Sequence, residues 1–84
     1  MKLWLLRPIR ERKKRNAWEP WYDKAFGFVI RAETEQDARQ LANDSGGDEV
    51  QNGHDPWLDR KQSTCVELLA KGKEENIIMD YARA

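Results

Sequence analysis

His54, Asp55 and Cys65 are the residues of this chain that come nearest to a catalytic set. A cysteine nucleophile needs a histidine within about 3 Å to accept its proton, and a third group to orient that histidine. Asp55 adjoins His54 in sequence, but adjacency does not aim a carboxylate at an imidazole nitrogen. His54 also stands in a stretch rich in Gly, Asn and Asp, which holds a side chain poorly. These residues read as an exposed loop histidine and a half-buried structural cysteine; no catalytic residue is assigned and no enzymatic activity is expected.

Metal and cofactor chemistry find no better footing. One cysteine and one histidine fall short of the three or four ligands of a protein zinc site. Asp44, Asp48, Glu49 and Asp55 form an acidic loop without the alternating ligands and terminal glutamate of an EF-hand. Gly46-Gly47 follows a helix instead of preceding one, so it does not make a phosphate-binding turn. No cofactor and no metal are expected.

Binding residues are more plentiful. Arg7, Arg10, Arg12, Lys13, Lys14 and Arg15 place six cations within nine residues. Such a run attracts phosphates in a strongly salt-dependent manner. Trp18, Trp21 and Tyr22 lie just beyond it, and rings beside cations suit single-stranded nucleic acid. The same run equally suits an acidic protein surface, or a solvated loop that shields a sheet edge. Four tryptophans, Trp4, Trp18, Trp21 and Trp57, are many for a core of this size. Trp4 reads as core; Trp18, Trp21 and Trp57 read as either packing or partner anchors, since tryptophan is enriched in binding hot spots. The expected partner-binding set is Arg10, Arg12, Lys13, Lys14, Arg15, Trp18, Trp21, Tyr22 and Trp57.

Charge is split along the chain. Residues 1–24 hold eight Lys/Arg against three acids, a net of +5, and residues 25–84 hold seven against twelve, a net of −5. The total of zero therefore conceals a basic front and an acidic body. Eighty-four residues make one domain, and chains this short bury only about 60% of their unfolded surface. A lone cysteine excludes an internal disulfide, so burial against a partner or a second copy is the remaining source of added stability. Charged residues make up 36% of the chain and mean hydropathy is −0.95, yet the tryptophans argue against disorder. No apolar run reaches the roughly 18 residues of a membrane span. The opening apolar run stops at Arg7, short of a signal-peptide core of about 7–15 residues. A cytoplasmic location is expected.

The elements that must position these residues are short. Lys2 to Arg7 reads as a strand with apolar residues on both faces, closed by Pro8. Residues 9–17 read as a basic mobile loop. Ala25 to Ala32 alternates with period two, Phe26, Phe28 and Ile30 on one face and Gly27, Val29 and Arg31 on the other. Thr34 caps a helix, with Asp37 in the third position of a capping box. Ala38, Leu41 and Ala42 supply its apolar stripe, and Ser45-Gly46-Gly47 ends it. Residues 44–62 form a polar loop anchored by Trp57-Leu58. Ser63 to Leu68 reads as a third strand, with a short helix from Ser63 as the alternative, and Asn76 to Tyr81 as a fourth. The expected fold is α+β, a β-β-α-β-β antiparallel sheet with one helix on one face. The expected core is Phe26, Phe28, Ile30, Leu41, Val66, Ile77 and Met79.

The stretch Phe28-Val29-Ile30-Arg31-Ala32-Glu33-Thr34-Glu35-Gln36-Asp37-Ala38-Arg39-Gln40-Leu41-Ala42 resembles the strand-to-helix segment of many small uncharacterised bacterial and prophage proteins. Lys2-Leu3-Trp4-Leu5-Leu6-Arg7-Pro8, Trp18-Glu19-Pro20-Trp21-Tyr22-Asp23 and Trp57-Leu58-Asp59 are similar to blocks of the same group. The resemblance implies a phage-related inhibitor or accessory subunit. The functional expectation is a non-catalytic interaction protein with a macromolecular partner. Alternatives are a nucleic-acid-binding module using the 7–15 run and adjacent rings, and a nucleotide binder at an oligomer interface.

Overall fold

A computed structural model of the chain describes residues 1–9, 17–18 and 23–80. Three strands, β1 (Lys2–Pro8), β2 (Phe28–Ala32) and β3 (Ser63–Leu68), flank one helix, α1 (Glu35–Asp44), and a 3-10 helix at Asp48–Gly53. The sheet order is β2-β1-β3, with both pairings antiparallel. β2 and β3 therefore run in the same direction, and α1 lies on the connection between them, packed on one face of the sheet. This is a split β-α-β arrangement.

The α+β class expected from the sequence is the observed one, with three strands of the anticipated four. Ser63–Leu68 is a strand, not a helix. The second strand begins only at Phe28, because the backbone just before it is engaged elsewhere. The Ala25 N–H donates to Glu49 Oε1 at 3.0 Å and its carbonyl accepts from Trp18 Nε1 at 2.7 Å. The anticipated fourth strand is absent from residues 76–80, which are irregular; Tyr81 lies outside the described residues. Both edges of β1 are already paired, and Ile77-Ile78-Met79 lacks the alternation that would bury one side of an edge strand.

Thr34 caps α1 as its sequence implied, with Oγ1 accepting from the Asp37 N–H at 3.1 Å. The buried residues of the helix are Ala38, Arg39 and Ala42, whereas Leu41 is exposed. Two of the three expected stripe residues, Ala38 and Ala42, are buried as read; Leu41 is not, and Arg39 is buried as the third.

Pairing registers assign each residue to a face, because directly opposed residues share one. Trp4 and Leu6 lie opposite Ile30 and Phe28 of β2 and Glu67 and Cys65 of β3. These line the helix side, where the core is Leu6, Ala17, Trp18, Ala32, Ala38, Ala42 and Trp57, with Trp4, Ala25, Phe28, Ile30 and Cys65 against it. Of the expected core, Phe28 and Ile30 belong here. Phe26, Leu41, Val66, Ile77 and Met79 are exposed. Val66 faces the opposite side of the sheet, and two tryptophans from the loops fill the space it was meant to fill.

Candidate interaction surface

Trp18 and Trp57 are each 0% exposed, so these two anticipated partner anchors are core residues instead. Their rings meet edge to face at 5.1 Å, and Trp57 packs likewise on Phe28 at 5.0 Å. A sheet-and-helix core built largely of alanine leaves room for large rings, and the loops provide them. Arg10, Arg12, Lys13, Lys14, Arg15, Trp21 and Tyr22 lie outside the described residues, as does most of the 9–17 loop. That loop is tied at its start, where the Ile9 N–H donates to the Gln62 carbonyl at 2.9 Å.

Two buried charges hold the loops to the core. Glu49, fully buried, accepts from Trp57 Nε1 at 2.7 Å, from the Ala25 N–H at 3.0 Å and from the Gly47 N–H at 3.1 Å. Its carboxylate thus joins three loop segments through N–H donors, the condition under which a buried anion is tolerated. Arg39 donates to Glu35 Oε2, the Trp57 carbonyl and Ser63 Oγ, each at 2.8 Å, and to the Ser63 carbonyl at 3.1 Å. Sequence reasoning placed Glu49 in an acidic loop and did not single out Arg39. The only signal was their position beside a tryptophan loop that needed polar partners.

The groups first considered for catalysis are separated in role. His54 is exposed at the C-terminal cap of the 3-10 helix. Cys65 is half-buried in β3, opposite Leu6, and burial pushes its thiol pKa up, which disfavours the nucleophilic thiolate. Asp59 is held below the usual carboxylate range by the Gln62 side chain and then by the Lys61 N–H, a turn-forming role. Among the described residues no group of three or more His, Cys, Asp or Glu is arranged to hold a metal ion. A cleft of about 340 Å³ opens between α1 and the loop at Leu58. Glu35 there accepts from Arg39 Nε at 2.8 Å and from Arg60 Nη2 at 3.4 Å, so its carboxylate is occupied in joining helix to loop.

The other face of the sheet carries Leu3, Leu5 and Arg7 of β1. They lie opposite Arg31 and Val29 on β2, and Leu68, Val66 and Thr64 on β3. Leu5 is buried at the centre, while Leu3, Val29 and Val66 are 39%, 52% and 53% exposed. With strands about 4.8 Å apart and about 3.3 Å per residue, the face covers on the order of 300 Å², the scale of patches that mark binding sites. The helix does not reach it. Comparison with family models, curated proteins and solved structures returns no match. The geometry alone carries the functional reading. Among the described residues, no helix is long and apolar enough to cross a membrane.

The signal for this face was present in the sequence: Leu3 and Leu5, Val29, and Val66 and Leu68 form a second apolar stripe behind the first.

Proposed function

We propose that this protein is a non-catalytic interaction protein that holds a protein partner on the helix-free face of its sheet. The observation that supports the reading is the three-strand aliphatic surface of Leu3, Val29 and Val66, left partly exposed around a buried Leu5. A flat surface of β-branched and leucine side chains matches the apolar centre of protein interfaces. The cations of the 10–15 run add complementarity to an acidic partner and speed encounter. The test is capture at moderate salt by tagged wild type and by the Leu3→Glu/Val66→Glu variant. The expected result is a stoichiometric protein band that the variant loses while still unfolding cooperatively. A band retained by the folded variant would overturn this assignment of the surface.

A second reading, nucleic-acid binding, is favoured by the six cations in residues 7–15. It predicts salt-released nucleic acid with the wild type, and none when Arg12, Lys13, Lys14 and Arg15 are all replaced by alanine.

A further inference from the structure

Beyond β3 the chain turns back across the helix-free face. Residues 70–80 adopt no regular structure, and Gly72 takes a φ of 144°, a conformation that favours glycine. Ile78 and Asp80 come to rest along a groove of about 120 Å³ whose other wall and floor include Leu5, Arg7, Gly27 and Val29. Arg7 Nη2 meets Asp80 Oδ1 at 3.4 Å. Gly27 keeps the groove open: a Cβ there would stand 3.1 Å from the Leu6 carbonyl oxygen and 3.3 Å from Arg7 Cδ. The groove therefore joins an aliphatic floor to a cation, and the segment that forms its other side offers an aliphatic side chain two residues ahead of a carboxylate. In extended chain that spacing puts both side chains on the same side.

The fit is loose. Ile78 remains 42% exposed. Among the described residues no backbone hydrogen bond ties 70–80 to the sheet. The Arg7–Asp80 pair, with side chains 35% and 70% exposed, is of the solvent-screened kind that holds weakly.

We propose that the sheet surface of Leu5, Arg7 and Val29 is a docking site for an extended peptide segment with an aliphatic residue two positions before an acid, and that residues 77–80 cover it in cis as a displaceable strap. The proposal rests on the reading of the helix-free face as an interaction surface and names what that surface accepts. Charge complementarity comes from Arg7, apolar complementarity from Leu5 and Val29, and the chain's own segment displays the ligand pattern. A tethered strap competes at a high effective concentration, so the free protein is restrained from binding until a better-fitting segment arrives.

The test uses the full chain and a fluorescein-labelled, amidated peptide of residues 74–80, read by fluorescence anisotropy. Ile78→Ser/Asp80→Ser disarms the strap and leaves Leu5, Arg7, Gly27 and Val29 of the sheet unchanged. This variant is expected to bind the peptide about tenfold more tightly than wild type. Adding Arg7→Glu to it should remove the binding, and a peptide carrying Asp80→Lys should restore it. That charge-swap rescue shows the Arg7→Glu chain to be folded and locates the contact. Equal affinity of wild type and the strap variant would overturn the proposal, as would binding indifferent to Arg7→Glu. If those results came with a captured partner still lost on Leu3→Glu/Val66→Glu, the strap would fall and the interaction surface would stand. A captured partner indifferent to Leu3→Glu/Val66→Glu would remove the surface itself.

Discussion

The two faces of this sheet are made by alternate residues of the same strands, yet they are built to different standards. On the helix side Trp4, Leu6, Phe28 and Ile30 meet two wholly buried tryptophans, and their polar atoms find partners. On the other side Leu3, Val29 and Val66 stand partly exposed, and an irregular segment reaches Arg7 through an exposed ion pair. The difference separates a buried core from an exposed apolar surface. The first face is buried, and the indole N–H groups of Trp4, Trp18 and Trp57 all find acceptors, as in a protein interior. The second retains apolar surface that the described residues leave exposed.

The sharpest way to break the contrast is to attack the helix side. Trp57→Ala removes a ring packed on Trp18 and Phe28 and leaves the Glu49 carboxylate short of a donor. Losses of about 3–5 kcal/mol are usual for such truncations, a large share of the stability of a domain this small. Denaturant unfolding should show the variant at or beyond the edge of folding.

Gly47→Ala should follow. Its Cβ would collide with the Asp23 backbone carbonyl, and the Asp48 N–H binds that same carbonyl at 2.6 Å, so the two loops cannot easily part. A cost of about 1–3 kcal/mol is expected from overpacking, read as a lower denaturation midpoint with unchanged slope.

Val66→Glu on the open face sharpens the comparison from the other side. Its thermal stability should stay within about 1 kcal/mol of wild type. A larger loss would show that this face carries folding energy of its own.

The smallest effect concerns pH. Asp59 has a folded pKa below its unfolded one, so it favours the folded state above the unfolded value. That contribution declines as pH falls through the interval and is gone below the folded pKa. Asp59→Asn should flatten the acid limb of the stability curve slightly. Cys65, with its folded pKa raised by burial, works at the other end: stability is lost as pH rises past the ordinary thiol range, and Cys65→Ala should remove that loss.

Much of the fold was legible in the sequence. The β1 run stops at its proline, the Thr34 cap starts α1, and Ser63–Leu68 is a strand with Thr64, Val66 and Leu68 on one face as read. The placement of that face was the error. Alternation gives two stripes per strand, but which stripes meet depends on register. The register opposing Leu5 to Val66 and Leu6 to Cys65 sends Val66 away from the helix. Of the interaction surface, the apolar stripe was visible in the spacing, whereas the strap was mistaken for a fourth strand because an aliphatic run after a glycine turn looks the same in either role.

By itself the sequence determined the local elements, since caps, proline stops and period-two alternation act within a few residues of their cause. The tertiary structure alone decided which tryptophans are interior and why Arg39 and Glu49 can be buried. The partners that make their burial tolerable, Ser63 for Arg39 and Ala25 for Glu49, stand 24 residues away in each case, and only the folded chain brings those donors and acceptors within hydrogen-bonding distance.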